Sequence, residues 1–76
     1  MQRDRFFIDA DRNGTWILIR EGEQQPLRSF KTKREAVAYG RTTARRRGHS
    51  QLVVKGRNHD IQTEWTYGRD PRRHPD

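Results

Sequence analysis

The sequence predicts an α+β fold in the order β-β-(β)-α-β-β, with one antiparallel sheet and a single helix packed on one of its faces. Three observations predict it. Thr32 to Gly48 has helical periodicity and helical end signals, short runs of aromatic and branched residues flank it on both sides, and turn sequences separate those runs. The apolar positions within the helix are small, so its natural partner is a broad sheet.

Residues 1–4 are polar and are expected to be loose. Arg5-Phe6-Phe7-Ile8-Asp9-Ala10 reads as the first strand, with Phe6, Ile8 and Ala10 sharing a face. Asp11-Arg12-Asn13-Gly14 supplies a hairpin turn, because Asn-Gly readily takes the positive φ that short hairpins need. Thr15-Trp16-Ile17-Leu18-Ile19-Arg20 returns the chain, with Trp16 and Leu18 on one side and Ile17 and Ile19 on the other. Glu21 to Pro26 is a second turn, and Leu27-Arg28-Ser29-Phe30 is a short optional strand that Pro26 confines to an edge or a first position.

The helix is marked at both ends. Thr32 and Glu35 have capping-box spacing, in which the hydroxyl accepts the amide three residues on and the carboxylate reaches back to the cap. Arg45, Arg46 and Arg47 suit the negative pole of the dipole, and Gly48 suits the left-handed residue that closes a helix. Ala36, Val37, Tyr39, Gly40, Thr43 and Ala44 fall on one side, Arg34, Ala38, Arg41 and Arg45 on the other. A mid-helix glycine costs about 1 kcal/mol against alanine, so Gly40 is expected to serve a close approach to the sheet.

Ser50 to Lys55 reads as the next strand, Gly56 to Asp60 as a turn, and Ile61 to Tyr67 as the last strand. That strand alternates, with Ile61, Thr63, Trp65 and Tyr67 expected inward. The whole is one domain over residues 5–71, followed by a disordered basic tail at 72–76.

The net charge of +7 comes from 17 basic against 10 acidic residues, and only Lys31, Lys33 and Lys55 are lysines. Arginine's planar fork suits phosphate, so the balance is compatible with nucleic acid, although an arginine-rich genome composition would give the same excess. With no cysteine, disulfides and thiolate metal sites are excluded. No apolar run reaches the roughly 20 residues that span a bilayer, and Met1 to Arg5 lacks the apolar core of a signal peptide, so the expected location is cytoplasmic.

Trp16 in Gly-x-Trp-x-(aliphatic), Thr32-Lys33-Arg34-Glu35-Ala36, Leu52-Val53-Val54 and Thr66-Tyr67-Gly68-Arg69-Asp70-Pro71 occur in this order over residues 6–71. In these four motifs the chain resembles the small prokaryotic family of domain of unknown function 2188. The resemblance implies a compact α+β unit of bacteria and their mobile elements, with no catalytic residue to carry over. It departs at the second hairpin, where that family usually has Asp-Gly or Asn-Gly and this chain has Asn58-His59. A histidine can occupy a left-handed position there at some cost, so the turn is expected to be looser or longer than the family's.

No catalytic constellation is legible. His49, His59 and His74 are not expected to be neighbours, the carboxylates sit mainly in turns or on outward strand positions, and no phosphate-cradling glycine loop precedes the helix. The reading is therefore a non-enzymatic binding protein without cofactor, metal or small-molecule substrate. Its expected activity is weak, sequence-tolerant nucleic-acid binding, DNA first, through Lys31, Lys33, Arg34, Arg41, Arg45 and Arg46 on and beside the helix. A sheet laid into a groove, with Arg3, Arg5, Arg12 and Arg20 as contacts, is a second mode. From a different class comes a protein-interaction module or homodimer, using Ile17, Ile19 and Val53 on the sheet face that one helix cannot cover.

Overall fold

The structure is a computed structural model in which residues 4–68 are described; the expected tail and most of the expected loose N-terminus lie outside that range. Asp4 does not belong to the loose segment, because it opens the first strand opposite Ser50. The elements are β1 (Asp4–Ala10), β2 (Trp16–Arg20), β3 (Arg28–Phe30), α1 (Lys33–Arg47), β4 (Ser50–Lys55) and β5 (Ile61–Tyr67). They form one helix and one five-stranded sheet, ordered β3-β2-β1-β4-β5.

The sheet is mixed rather than wholly antiparallel, since β1 and β4 at its centre run parallel, Phe6 opposite Leu52 and Ile8 opposite Val54. Direction and edge availability explain this. β1, β2 and β3 run up, down and up; α1 carries the chain back down, and β4 must then run up. β2 already occupies one edge of β1, so β4 takes the other, in parallel.

The core lies between the sheet and α1. Phe6, Ile8 and Leu18 are fully buried with Leu52, and Ala10, Trp16 and Val54 complete the layer beneath Ala36 and Ala44. Gly40 sits where a Cβ would lie 3.1 Å from Ile8 Cδ1 and 3.2 Å from Leu52 Cδ1, the close approach that its mid-helix position implied. Tyr39, expected on the buried side, lies instead at the helix flank, half exposed against Phe30.

The helix starts and stops where the sequence signals place it, but each end closes differently from the expected motif. Thr32 Oγ1 accepts the Glu35 amide at 3.1 Å, while the Glu35 side chain stays exposed, so only the hydroxyl half of the capping box forms. Gly48 closes the other end with φ 86° and ψ −91°, a glycine-favouring positive φ but not the left-handed helical conformation expected, its amide donating to the Arg45 carbonyl. Thr32→Ala is expected to lower the free energy of unfolding by about 1 kcal/mol, read as a lower urea midpoint with an unchanged slope.

β5 departs from the expected alternation. Trp65 and Tyr67 are half-buried against the core, but Thr63 is exposed and Ile61 is 55% exposed. The register slips between Val54, opposite Thr63, and Lys55, opposite Ile61. Gln62 is the extra residue, and a one-residue bulge moves whatever precedes it to the other face of the strand.

Candidate nucleic-acid interface

α1 carries Lys33, Arg34, Arg41, Arg45, Arg46 and Arg47 against the single carboxylate of Glu35. The six residues expected to bind polyanion divide into two sets. Arg34, Arg45 and Arg46 are exposed on the helix, and Lys31 is exposed just before it. Among the described residues none of these four makes an ion pair or hydrogen bond, so their donors face solvent.

The remaining two are engaged with the sheet. Arg41 lays its guanidinium 4.6 Å from the centroid of the Trp65 ring, and its Nε donates to the Tyr67 hydroxyl at 3.1 Å. Its charge stays at the surface beside β5 while its side chain covers the half-buried tryptophan. Lys33 turns inward, its ammonium 5.5 Å from the Trp16 ring centroid and donating to Gln62 Oε1. Arg47 also points towards the sheet, 3.7 Å from Asp4, which holds Arg20 at 2.9 Å on its other oxygen.

The acids lie elsewhere. Asp4 and Asp9 are on β1, Asp11, Glu21, Glu23 and Asp60 in turns, and Glu64 on β5. The outer helix surface is therefore positive without nearby neutralisation, apart from Glu35 in the first turn. The first hairpin is different. Arg5 reaches Glu21 at 3.1 Å on the face away from the helix, whereas Arg20 lies opposite Phe6 on the helix side. Arginines on opposite faces do not make one groove-filling surface, and Arg3 lies outside the described residues.

The family described as an uncharacterized protein conserved in bacteria (DUF2188) matches over residues 9–67. The chain belongs to the DUF2188 family. The match begins at the end of β1 and takes in β2, β3, the whole helix, β4 and β5, and so the full outer helix surface. No curated protein and no solved structure matches the chain.

In this DUF2188 chain the departure at the second hairpin has a structural counterpart. His59 takes φ 70°, the left-handed position open to a histidine at some cost, and its Nδ1 lies 2.8 Å from Asp9 Oδ1. The second turn is not the looser or longer one expected: Asp11–Thr15 and Gly56–Asp60 are closed by equivalent backbone bonds, and His59 occupies the position that Gly14 holds in the first.

The sheet face away from the helix does not expose the apolar set expected of it. Val53 is fully buried, while Ile17 and Ile19 are half-buried. The cover comes from the same sheet. Arg5 and Lys55 place their charges 5.2 and 5.1 Å from the Phe7 ring centroid, and Arg5 Nε donates to Gln51 Oε1 while Gln51 Nε2 donates to Glu64 Oε1, both at 3.0 Å. Long charged side chains bury their stems over apolar neighbours and keep their heads in water, so a second layer of protein is not needed over Val53. Periodicity placed Val53 on the correct face, but the covering residues were missed because they come from three strands.

Among the described residues no cluster of three or more histidines and acids has the geometry of a metal site. No helix of the described residues is long and apolar enough to cross a membrane.

Proposed function

We propose that this protein is a small non-enzymatic nucleic-acid-binding protein of the bacterial cytoplasm, binding DNA weakly and with little sequence preference through the outer face of α1. One observation carries the reading: Arg34, Arg45 and Arg46 present guanidinium groups to solvent on a helix whose only acid is Glu35. Phosphate contacts of this kind give affinity without reading base sequence. Arg41 adds charge at the edge of the patch while anchored on Trp65. Lys33 and Arg47 are held towards the sheet and contribute to the field rather than to contact. Binding at a far-face protein interface has less support, because Val53 is already covered.

A mobility-shift titration over a range of salt concentrations tests the proposal. Three or four phosphate contacts give a slope of log K against log salt of about −3. The double variant Arg34→Glu/Arg45→Glu is expected to weaken binding by about tenfold or more at low salt, with an unchanged circular dichroism spectrum, since both side chains are exposed and neither makes a hydrogen bond, ion pair or ring contact among the described residues. Failure of the wild-type protein to bind any oligonucleotide at low salt would remove the proposal.

A further inference from the structure

Between β3 and the flank of α1 lies an open groove of about 790 Å³, lined by Arg28, Phe30 and Lys31 on one side and by Glu35, Tyr39 and Thr42 on the other. Its volume falls within the about 300–1,000 Å³ of small-ligand sites. Tyr39 is 42% exposed, lies 5.5 Å from Phe30 between ring centroids, and carries the Arg28 guanidinium 4.8 Å above its own ring. Lys31 stands at the mouth, and Arg46, four residues beyond Thr42, continues the same helix flank past the groove's end. Three cations thus border an aromatic floor against the one carboxylate of Glu35.

We infer that this groove receives an unstacked base, so that the preferred ligand is single-stranded rather than duplex nucleic acid. The inference rests on the reading of the outer helix face as a phosphate-binding surface, and it names the form of nucleic acid that surface takes. Aromatic rings and guanidinium planes accept a base by stacking whatever its identity, and neighbouring cations hold the backbone on either side of it. The exposed Arg28 guanidinium already lies over the Tyr39 ring, 4.8 Å from its centroid, and a base would stack on its outer side. Lys31 lines the groove and Arg46 lies one helical turn past Thr42 on the same flank, where the flanking phosphates of one strand would pass. A duplex keeps its bases stacked inside and would meet only the cations.

Fluorescence anisotropy with labelled oligothymidine, oligouridine and a mixed-sequence duplex of equal length, all at one low salt concentration, tests this. Wild-type protein is expected to bind at least one of the single strands about fivefold more tightly than the duplex, and the ratio of the two single strands assigns the sugar. Tyr39→Ala is expected to weaken single-strand binding about tenfold while leaving duplex binding within about twofold, and Tyr39→Phe, which keeps the ring, is expected to retain single-strand affinity. Unchanged single-strand affinity in Tyr39→Ala, or a wild-type preference for duplex, overturns the groove and leaves the helix-face reading standing. Absence of binding to all three probes overturns both. Because Tyr39 is at the surface, circular dichroism of the alanine variant separates lost stacking from lost folding.

Discussion

Gly40→Val is expected to destabilise the domain by about 3 kcal/mol, a large part of the about 5 kcal/mol available to a small domain. A Cβ at this position already meets Ile8 Cδ1 at 3.1 Å and Leu52 Cδ1 and Cδ2 at 3.2 and 3.4 Å. Both neighbours are fully buried beneath the helix, so their terminal carbons can shift only by displacing other core atoms. Valine adds two further carbons beyond that Cβ and a branched side chain that helices disfavour. Alanine at the same site is the useful comparison. It gains about 1 kcal/mol of helix propensity while squeezing the same methyls, and the two effects nearly cancel. Urea unfolding followed by far-ultraviolet circular dichroism reads both variants. A valine variant within about 1 kcal/mol of wild type would show that the helix sits higher on the sheet than the 3.1 Å contact implies.

That contact was legible in the sequence, as Ala36, Gly40 and Ala44 at intervals of four describe a helix with almost no side chain on its inner face. Strand direction was not. It turns on whether Arg28–Phe30 is a strand at all. Without β3 the helix would run up after β2, and β4 would come down antiparallel to β1. With it, one more reversal makes the central pair parallel. Three exposed or half-exposed residues have little hydrophobic pattern of their own, so the sequence marks that segment weakly while it decides the parity of the sheet. The slip in β5 is of the same kind. Ile61, Thr63, Trp65 and Tyr67 alternate without a break in sequence, and the bulge that turns Ile61 outward depends on how Gln62 meets Gly56 and Lys33 across the strand and helix.

The candidate site was legible in angle and illegible in reach. Helical spacing places Arg34, Arg41 and Arg45 on one side, and all three are exposed there. Spacing does not say that Arg41 folds down onto Trp65, because the partner belongs to β5, beyond β4 in the chain and at the sheet edge. Lys33 illustrates the same limit. It sits one residue after the helix cap, where a solvated cation is the default, yet Trp16 and Gln62 from two other strands draw it inward. The groove beside β3 joins residues from before and within the helix, and only the aromatic character of Phe30 and Tyr39 hinted at it.

Gly68→Ala is expected to cost about 2 kcal/mol, more than its place at the end of an edge strand suggests. Its φ is +82°, and a Cβ would stand 2.5 Å from the Gly48 carbonyl oxygen, 2.7 Å from His49 Cα and 2.8 Å from the Gly48 carbonyl carbon. These are backbone atoms at the exit of α1, and no rotamer change can move them aside. The chain has two ways out. Either the helix exit shifts away, disturbing Gly48 and the Asp4 amide bond to the His49 carbonyl, or the end of β5 peels from Ser50 and loosens Tyr67 under Arg41. Gly22→Ala is the control, since its φ is +92° but nothing lies within 4 Å of the added carbon. It should lose only the about 1 kcal/mol of left-handed strain, and the difference between the two variants measures the contact with the helix exit. Amide exchange locates the response: faster exchange confined to β4 and β5 near Ser50 and Thr66 indicates peeling, whereas faster exchange in the last turn of α1 indicates a displaced helix exit. Equal losses in the two variants would mean that Gly68 does not touch the Gly48–His49 backbone in solution.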